Sequence, residues 1–347
     1  MRSVGRTAAG LLAAVVVMSG CGDDEGEFAD ASMADGAAVD GASADAPGPD
    51  ANPVIARGKY LVDHVAACGD CHTPRLAGGA PDLTRYLAGN PCLIDLDQGN
   101  TNVGCLATRN LTNHGTGLMN RTDAQIKTMF TAGTRPGGEA LNPFMPYWVF
   151  ANMTVSDQDA IVAYLRTVTG VNNMPTSQPP FNVAPAQPAT AIDPNTIPMP
   201  AAGATQASAM RGRYLAGMVG ACIDCHTPEL PMAPPPVRPI DMTKPFAGGR
   251  AFPRDALGLP PVFPMTIYTA NLTPHATTGL TGYDAAKIVR VLKQGRDKDN
   301  AGVCPPMPTG PMGAFGGLTD QDAMDIANYI LSLPGVDNMI PNGCMTP

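Results

Sequence analysis

Two pentapeptides carry the most specific chemistry in this chain: Cys68-Gly69-Asp70-Cys71-His72 and Cys222-Ile223-Asp224-Cys225-His226. Two thiols one helical turn apart can each add to a vinyl group of one porphyrin, and the adjacent imidazole then reaches the iron at its centre. The pattern implies two covalently bound haem c groups. Cys68, Cys71, Cys222 and Cys225 are the thioether positions, and His72 and His226 the proximal iron ligands. A zinc site would need further ligands at metal spacing, which the other cysteines do not offer. A redox dithiol would need a βαβ setting, which the flanking sequence lacks.

The sixth iron position decides what such a centre does. A thioether stabilises reduced iron, raises the potential and suits electron transfer, whereas a vacant position makes a reactive haem. Met145-Pro146 follows His72 by 73 residues, and Met307-Pro308 follows His226 by 81. A proline beside the methionine stiffens a loop that presents sulfur to iron, so Met145 and Met307 are the expected distal ligands. Met312, in the same loop as Met307, competes with it for that role. His114 and His275 are rival ligands that would make both centres bis-histidine; otherwise they sit in a loop near solvent or a haem propionate. His64 has Met218 as its counterpart and reads as a helix-face residue.

These groups sit in a duplicated frame. Arg57-Gly58-Lys59-Tyr60-Leu61 returns as Arg211-Gly212-Arg213-Tyr214-Leu215, and Asn110-Leu111-Thr112 as Asn271-Leu272-Thr273. Asp157-Gln158-Asp159-Ala160 returns as Asp320-Gln321-Asp322-Ala323. Two copies of this length are a domain duplication rather than a solenoid. The pattern predicts domains over 54–175 and 207–347. Between them a proline-rich linker, 176–206, is expected to run as a semi-rigid extended spacer over the surface of both. In each copy a helix of about 12 residues precedes the cysteine pair, with Leu61/Val65 and Leu215/Val219 at i,i+4. Middle helices are expected from near Thr122 and near Tyr283. Final helices are expected from Ser156 and Thr319, with apolar stripes Ile161, Leu165, Val168 and Ile326, Ile330, Leu333. Long Gly/Pro-rich stretches join the helices, and Ile267-Tyr268-Thr269 is the one strand-like segment.

Nine cysteines divide into four for haem, Cys21, and two in each domain. Of the three ways to pair the last four, the domain split favours Cys92 with Cys105 and Cys304 with Cys344, as disulfides in an oxidising compartment.

Cys21 closes an export signal. Arg2 and Arg6 lead an apolar run, Ala8 to Met18, too short to span a bilayer. Met18-Ser19-Gly20-Cys21 resembles the lipobox of bacterial lipoproteins, with Met18 where leucine is usual, so residues 1–21 read as a lipoprotein-type signal peptide with Cys21 as lipid site. Residues 22–53 hold nine acidic side chains and no Lys or Arg. They bury too little to offset their ordering entropy and read as a disordered tether. The net charge of the whole chain is −8, most of it in that tether, and argues against nucleic acid as a partner. Aromatic residues are only 5% of the chain, which a haem serving as apolar core explains.

The motifs together, from Leu87-Ala88-Gly89 or Phe246-Ala247-Gly248-Gly249 through Asn-Leu-Thr to Met145-Pro146-Tyr147 and the Asp-Gln-Asp helix, resemble the cytochrome c subunits of bacterial membrane-bound alcohol, aldehyde and gluconate dehydrogenases. The resemblance implies an all-α fold of two tandem class I cytochrome c domains. It implies electron transfer from a dehydrogenase or other periplasmic donor to a respiratory acceptor, by a carrier tethered to a membrane in the cell envelope. Those subunits commonly carry three haems and this chain has two motifs; Thr309 also stands where Tyr147 follows Met-Pro in the first copy. The competing reading is a haem enzyme, a peroxidase or sulfur-compound oxidase, with one reactive haem.

Overall fold

The first copy opens on a helix whose start the local sequence dictates. The computed structural model describes residues 52–77, 79–97, 102–230 and 240–341. The signal segment with Cys21, nearly all of the acidic tether, and Cys344 lie outside them. In the first copy Asn52 accepts the Val54 N–H and proline occupies the first turn of α1 (Pro53–Tyr60), which runs on as a π-turn, Leu61–Val65. There follow α2 (Cys68–His72), α3 (Asp123–Ala132), α4 (Tyr147–Phe150) and α5 (Val155–Thr167). The second copy repeats the order as α6 (Gln206–Tyr214) with its π-turn Leu215–Val219, α7 (Cys222–Cys225), α8 (Ala285–Gln294) and α9 (Asp320–Ser332). In place of α4 stands a short 3-10 turn, Ala314–Gly317.

The middle helices start as expected, on Thr122 with a full capping box and on Asp284. The last helix of the first copy starts earlier than Ser156. Thr154 is extended and its hydroxyl accepts the Asp157 N–H at 3.2 Å, so Ser156 already lies inside the helix. Thr319 plays the same part for Asp322 at 3.1 Å. Thr154 therefore corresponds to Thr319, and Asp157 to Asp322; the Asp-Gln-Asp-Ala strings are out of register by two residues.

The first and last helices of each copy cross at a glycine. A Cβ on Gly58 would lie 1.8 Å from the Ala160 carbonyl oxygen, and one on Gly212 1.9 Å from that of Asp325. Only hydrogen there lets the backbones meet. Behind the crossings Leu61, Val65, Ile161 and Leu165 of one copy and Leu215, Val219, Ile326, Ile330 and Leu333 of the other are buried; Val168 ends its helix half-buried.

Beside the helices, the described residues hold short strands. Two small antiparallel ribbons are present: β1 (Ile94–Asp95) with β2 (Cys105–Leu106), and β3 (Ala251–Pro253) with β4 (Thr266–Tyr268). Only β4 had a sequence signal, because strands of two or three residues are too short to show alternation. The Cys92–Cys105 disulfide closes the first ribbon. Cys304 is also disulfide-bonded.

Both copies fall within one compact unit, Pro47–Pro347, and share one hydrophobic core. Their junction is reciprocal. The Tyr60 hydroxyl of the first copy donates to Asp322 of the second (2.6 Å) and accepts the Thr319 N–H (3.2 Å). The Tyr214 hydroxyl of the second donates to Asp157 of the first (2.7 Å) and accepts the Thr154 N–H (3.2 Å). Each N-terminal helix thus completes the cap of the other copy's last helix. His64, expected to be a plain helix-face residue, bonds the Ala314 carbonyl across the junction at 3.1 Å. The proline-rich segment is more than a surface spacer: Ala189, Ile192 and Ile197 are buried in it. Ile192 N–H donates to the Trp148 carbonyl in the first copy, and Arg213 of the second grips the Pro194 and Ile197 carbonyls.

Candidate functional site

Each Cys-x-x-Cys-His sits on a tight turn entered through a left-handed alanine, Ala67 (φ 52°) or Ala221 (φ 53°). That conformation turns the chain sharply out of the preceding π-turn and into the motif, at a cost a non-glycine residue bears only when its surroundings enforce it. The four cysteines are free thiols although disulfides form elsewhere. Desolvation pushes Cys68, Cys71, Cys222 and Cys225 up to about 12. A redox dithiol requires the opposite, a depressed thiol.

Both histidines are buried and held identically. His72 Nδ1 lies 2.7 Å from the Arg109 carbonyl, and His226 Nδ1 2.8 Å from the Ala270 carbonyl. A carbonyl accepts only, so Nδ1 carries the proton and Nε2 is left as the ligating nitrogen. Burial lowers both pKa values and keeps the rings neutral, the form a metal needs.

The carbonyls that orient the histidines are themselves braced. Asn110 and Asn271 follow Arg109 and Ala270 directly, and both are buried. Each side-chain oxygen accepts its own Thr N–H and hydroxyl, Thr112 or Thr273. Each side-chain nitrogen donates to the chain beyond the last helix, at Val171 or Val336. From there Asn173 donates back to the Ala88 and Gly89 carbonyls, and Asn338 to those of Ala247 and Gly248. Gly89 N–H and Gly248 N–H bond the His72 and His226 carbonyls at 2.6 and 2.7 Å, closing the ring of contacts. Asn173 and Asn338 escaped the motif reading, although Gly170-Val171-Asn172-Asn173-Met174 recurs as Gly335-Val336-Asp337-Asn338-Met339.

The histidines of the Asn-Leu-Thr loops use Nδ1 locally, His114 on the Thr116 hydroxyl (2.9 Å) and His275 on the Thr278 hydroxyl (2.8 Å). Met145 and Met307 are half-buried against the shared core, the same core that Cys68 and Cys222 join. Their turns match: Met145 N–H bonds Asn142 O and Met307 N–H bonds Cys304 O, while Tyr147 N–H and Thr309 N–H return to the methionine carbonyls. Met312 is 93% exposed and points away from that core.

The loops differ beyond the methionine. In the first copy Tyr147 and Trp148 are fully buried, and the Ala189 N–H donates to the Tyr147 hydroxyl at 2.7 Å. In the second, an open cavity of about 720 Å³ is lined by Gln294, Arg296, Asn300, Val303, Met307 and Met312 among others. Neutral imidazoles with Nε2 free, paired free thiols, a methionine on the same core and space beside it form a donor set that fits haem c.

In each copy a buried histidine of a Cys-x-x-Cys-His turn and a half-buried methionine of a Met-Pro turn belong to one core, a donor set of the kind a covalently haem-binding domain needs. Residues 55–169 match the cytochrome c family, and this part of the chain is a cytochrome c domain. The chain is similar to the gluconate 2-dehydrogenase cytochrome c subunit of Pantoea cypripedii, 26% identical over 82% of this chain and 60% of that protein. It is 37% identical to the fructose dehydrogenase cytochrome subunit of Gluconobacter japonicus, over 32% of this chain and 21% of that one. A 42-residue stretch is 50% identical to a dihaem cytochrome c-type protein of Cereibacter sphaeroides, 12% of this chain and 14% of that protein. The chain covers less than two thirds of each of these relatives. Among the described residues no helix is long and apolar enough to cross a membrane.

Proposed function

We propose that this chain is a dihaem electron carrier. Cys68 and Cys71 would hold one haem and Cys222 and Cys225 the other, with His72 and Met145, and His226 and Met307, as the residues that would ligate the irons. The observation that carries the reading is the duplicated proximal site, the same histidine–carbonyl–asparagine brace built twice within one compact unit. When bound, each haem supplies a one-electron couple. The chain fixes the imidazoles, presents a sulfur from a proline-stiffened turn, and packs apolar side chains that exclude water.

The two attachment segments abut. A Cβ on Gly220, two residues before Cys222, would lie 3.4 Å from the Val65 carbonyl oxygen, three residues before Cys68. Such proximity, held by the reciprocal Tyr60 and Tyr214 contacts, supports electron passage between centres without domain motion. By similarity to dehydrogenase cytochrome subunits, the donor is a dehydrogenase or another periplasmic redox protein and the acceptor a respiratory one. The export signal and Cys21 support a lipid-anchored position in the cell envelope.

Haem content and spectra test this. Two haems per chain, and a sulfur-to-iron charge-transfer band in the oxidised protein with the intensity of two methionine-ligated irons, support it. A single haem, or a high-spin iron in the resting protein, would favour the enzyme reading instead.

A further inference from the structure

The methionine loops of the two copies begin alike and end alike, yet enclose different amounts of chain. Phe150 N–H returns to the Pro146 carbonyl at 3.1 Å, and Phe315 N–H to the Pro308 carbonyl at 2.9 Å. Three residues lie between Pro146 and Phe150, and six between Pro308 and Phe315. The shorter loop holds Tyr147 and Trp148, 1% and 0% exposed; the longer holds Thr309, Gly310, Pro311, Met312, Gly313 and Ala314. The Tyr147 ring lies directly on Gly133, whose added Cβ would sit 2.4 Å from Cε2. The corresponding Gly295 has Thr309 Oγ1 and the Gly310 backbone as its nearest neighbours, at 3.4 Å or more. The first loop is also strapped by this chain's own segment, through the Ala189 N–H on the Tyr147 hydroxyl and the Ile192 N–H on the Trp148 carbonyl. The second carries the open cavity of about 720 Å³, with Met307 in its wall.

We propose that the second haem position takes small π-acceptor diatomic ligands by releasing Met307 into this cavity, and that the first position does not. The inference rests on the reading of Met307 as distal ligand. A sulfur leaving iron must be accommodated elsewhere. Beside Met145 that space is filled by two aromatic rings whose displacement would break the Ala189 hydrogen bond. Beside Met307 the loop holds Thr309, Gly310, Pro311, Met312, Gly313 and Ala314 in place of those rings, on the rim of the open cavity. The loop itself need not unfold, because Gly310 N–H to the Leu292 carbonyl at 3.1 Å and the Cys304 disulfide hold its base. The chain's part would be to let the Met307 thioether give up its place to the probe, a ligand exchange with no net electron or proton transfer. Apparent affinity scales with the fraction of molecules in which the sulfur is away, so the centre with the cheaper release binds first. Electron flow through the second centre thereby becomes sensitive to such ligands.

The experiment is a titration of the reduced dihaem protein with carbon monoxide, followed by recombination after flash photolysis. The oxidised protein is first shown to carry the charge-transfer intensity of two methionine-ligated irons. The expected result is one carbon monoxide per two haems. Met307→Ala should keep that stoichiometry and speed uptake, whereas Met145→Ala should raise it to two per chain. Tyr147→Phe, which leaves the buried Ala189 N–H without its acceptor, should raise uptake at the first position between about fivefold and a hundredfold. No uptake, uptake at both positions alike, or uptake at the first alone overturns the proposal. A resting charge-transfer intensity of one methionine would instead locate the failure in the assignment of Met307 and remove the proposal with it.

Discussion

Alanine at the two helix-crossing glycines tests whether the duplicated frame is held by backbone contact. Taken alone, Gly→Ala within a helix gains about 1 kcal/mol from propensity. At Gly58 the new Cβ would stand 1.8 Å from the Ala160 oxygen, 2.5 Å from its carbon and 2.8 Å from Tyr164 Cβ. At Gly212 the corresponding distances are 1.9 Å and 2.4 Å to the Asp325 oxygen and carbon. Non-bonded heavy atoms settle at about 3.5–4.0 Å, so the helices must separate by more than an ångström. The obstacle is backbone, which has no rotamer to adopt. The cost therefore belongs at the upper end of overpacking, about 3 kcal/mol, and about 2 kcal/mol remains after the propensity gain. For a chain of 347 residues, with an unfolding entropy of about 2.1 cal/mol/K per residue, that is a fall in Tm of roughly 3 °C. Thermal unfolding of the holoprotein measures it, with Gly203→Ala as control, since nothing lies within 4 Å of a Cβ there; the control should move stability by about 0.5 kcal/mol or less. Gly58→Ala or Gly212→Ala proteins as stable as the parent would refute the crossing as the organising contact.

Tyr60→Phe and Tyr214→Phe each remove one donor to an aspartate and one acceptor for a helix-capping N–H. Each should cost about 1–2 kcal/mol in urea unfolding, by similar amounts because the contacts are reciprocal. Asn173→Ala and Asn338→Ala should each destabilise by about 1–3 kcal/mol, and each should disturb the spectrum of the haem in its own copy. Met145→Ala should halve the sulfur-to-iron charge-transfer intensity and leave the second centre low-spin; an unchanged spectrum would place the first distal ligand elsewhere.

The two candidate attachment motifs are legible in sequence because they are local. Two cysteines and a histidine within five residues specify the covalent site whatever the rest of the chain does, and the duplication marks them twice. The middle helices and the final helix at Thr319 were legible for the same reason, since caps act over three residues. The Thr154 start was misread because Ser156, with Asp159 three residues on, imitates a cap and the Asp-Gln-Asp-Ala strings invite a false register. The two short ribbons left no periodic trace except at β4.

What sequence alone determined about this protein is local: two Cys-x-x-Cys-His motifs, a methionine-proline pair in each copy, and the Cys92–Cys105 pairing. Tertiary structure decided the rest. The Arg109 and Ala270 carbonyls that orient the histidines lie 37 and 44 residues from them. The tyrosines that lock the copies together reach partners 262 and 57 residues away. A loop three residues longer, with two buried aromatic rings missing, separates the Met145 turn from the Met307 turn beside an open cavity. Bond-forming groups act within a turn of chain, whereas braces, junctions and cavities arise only where distant segments compete for the same volume.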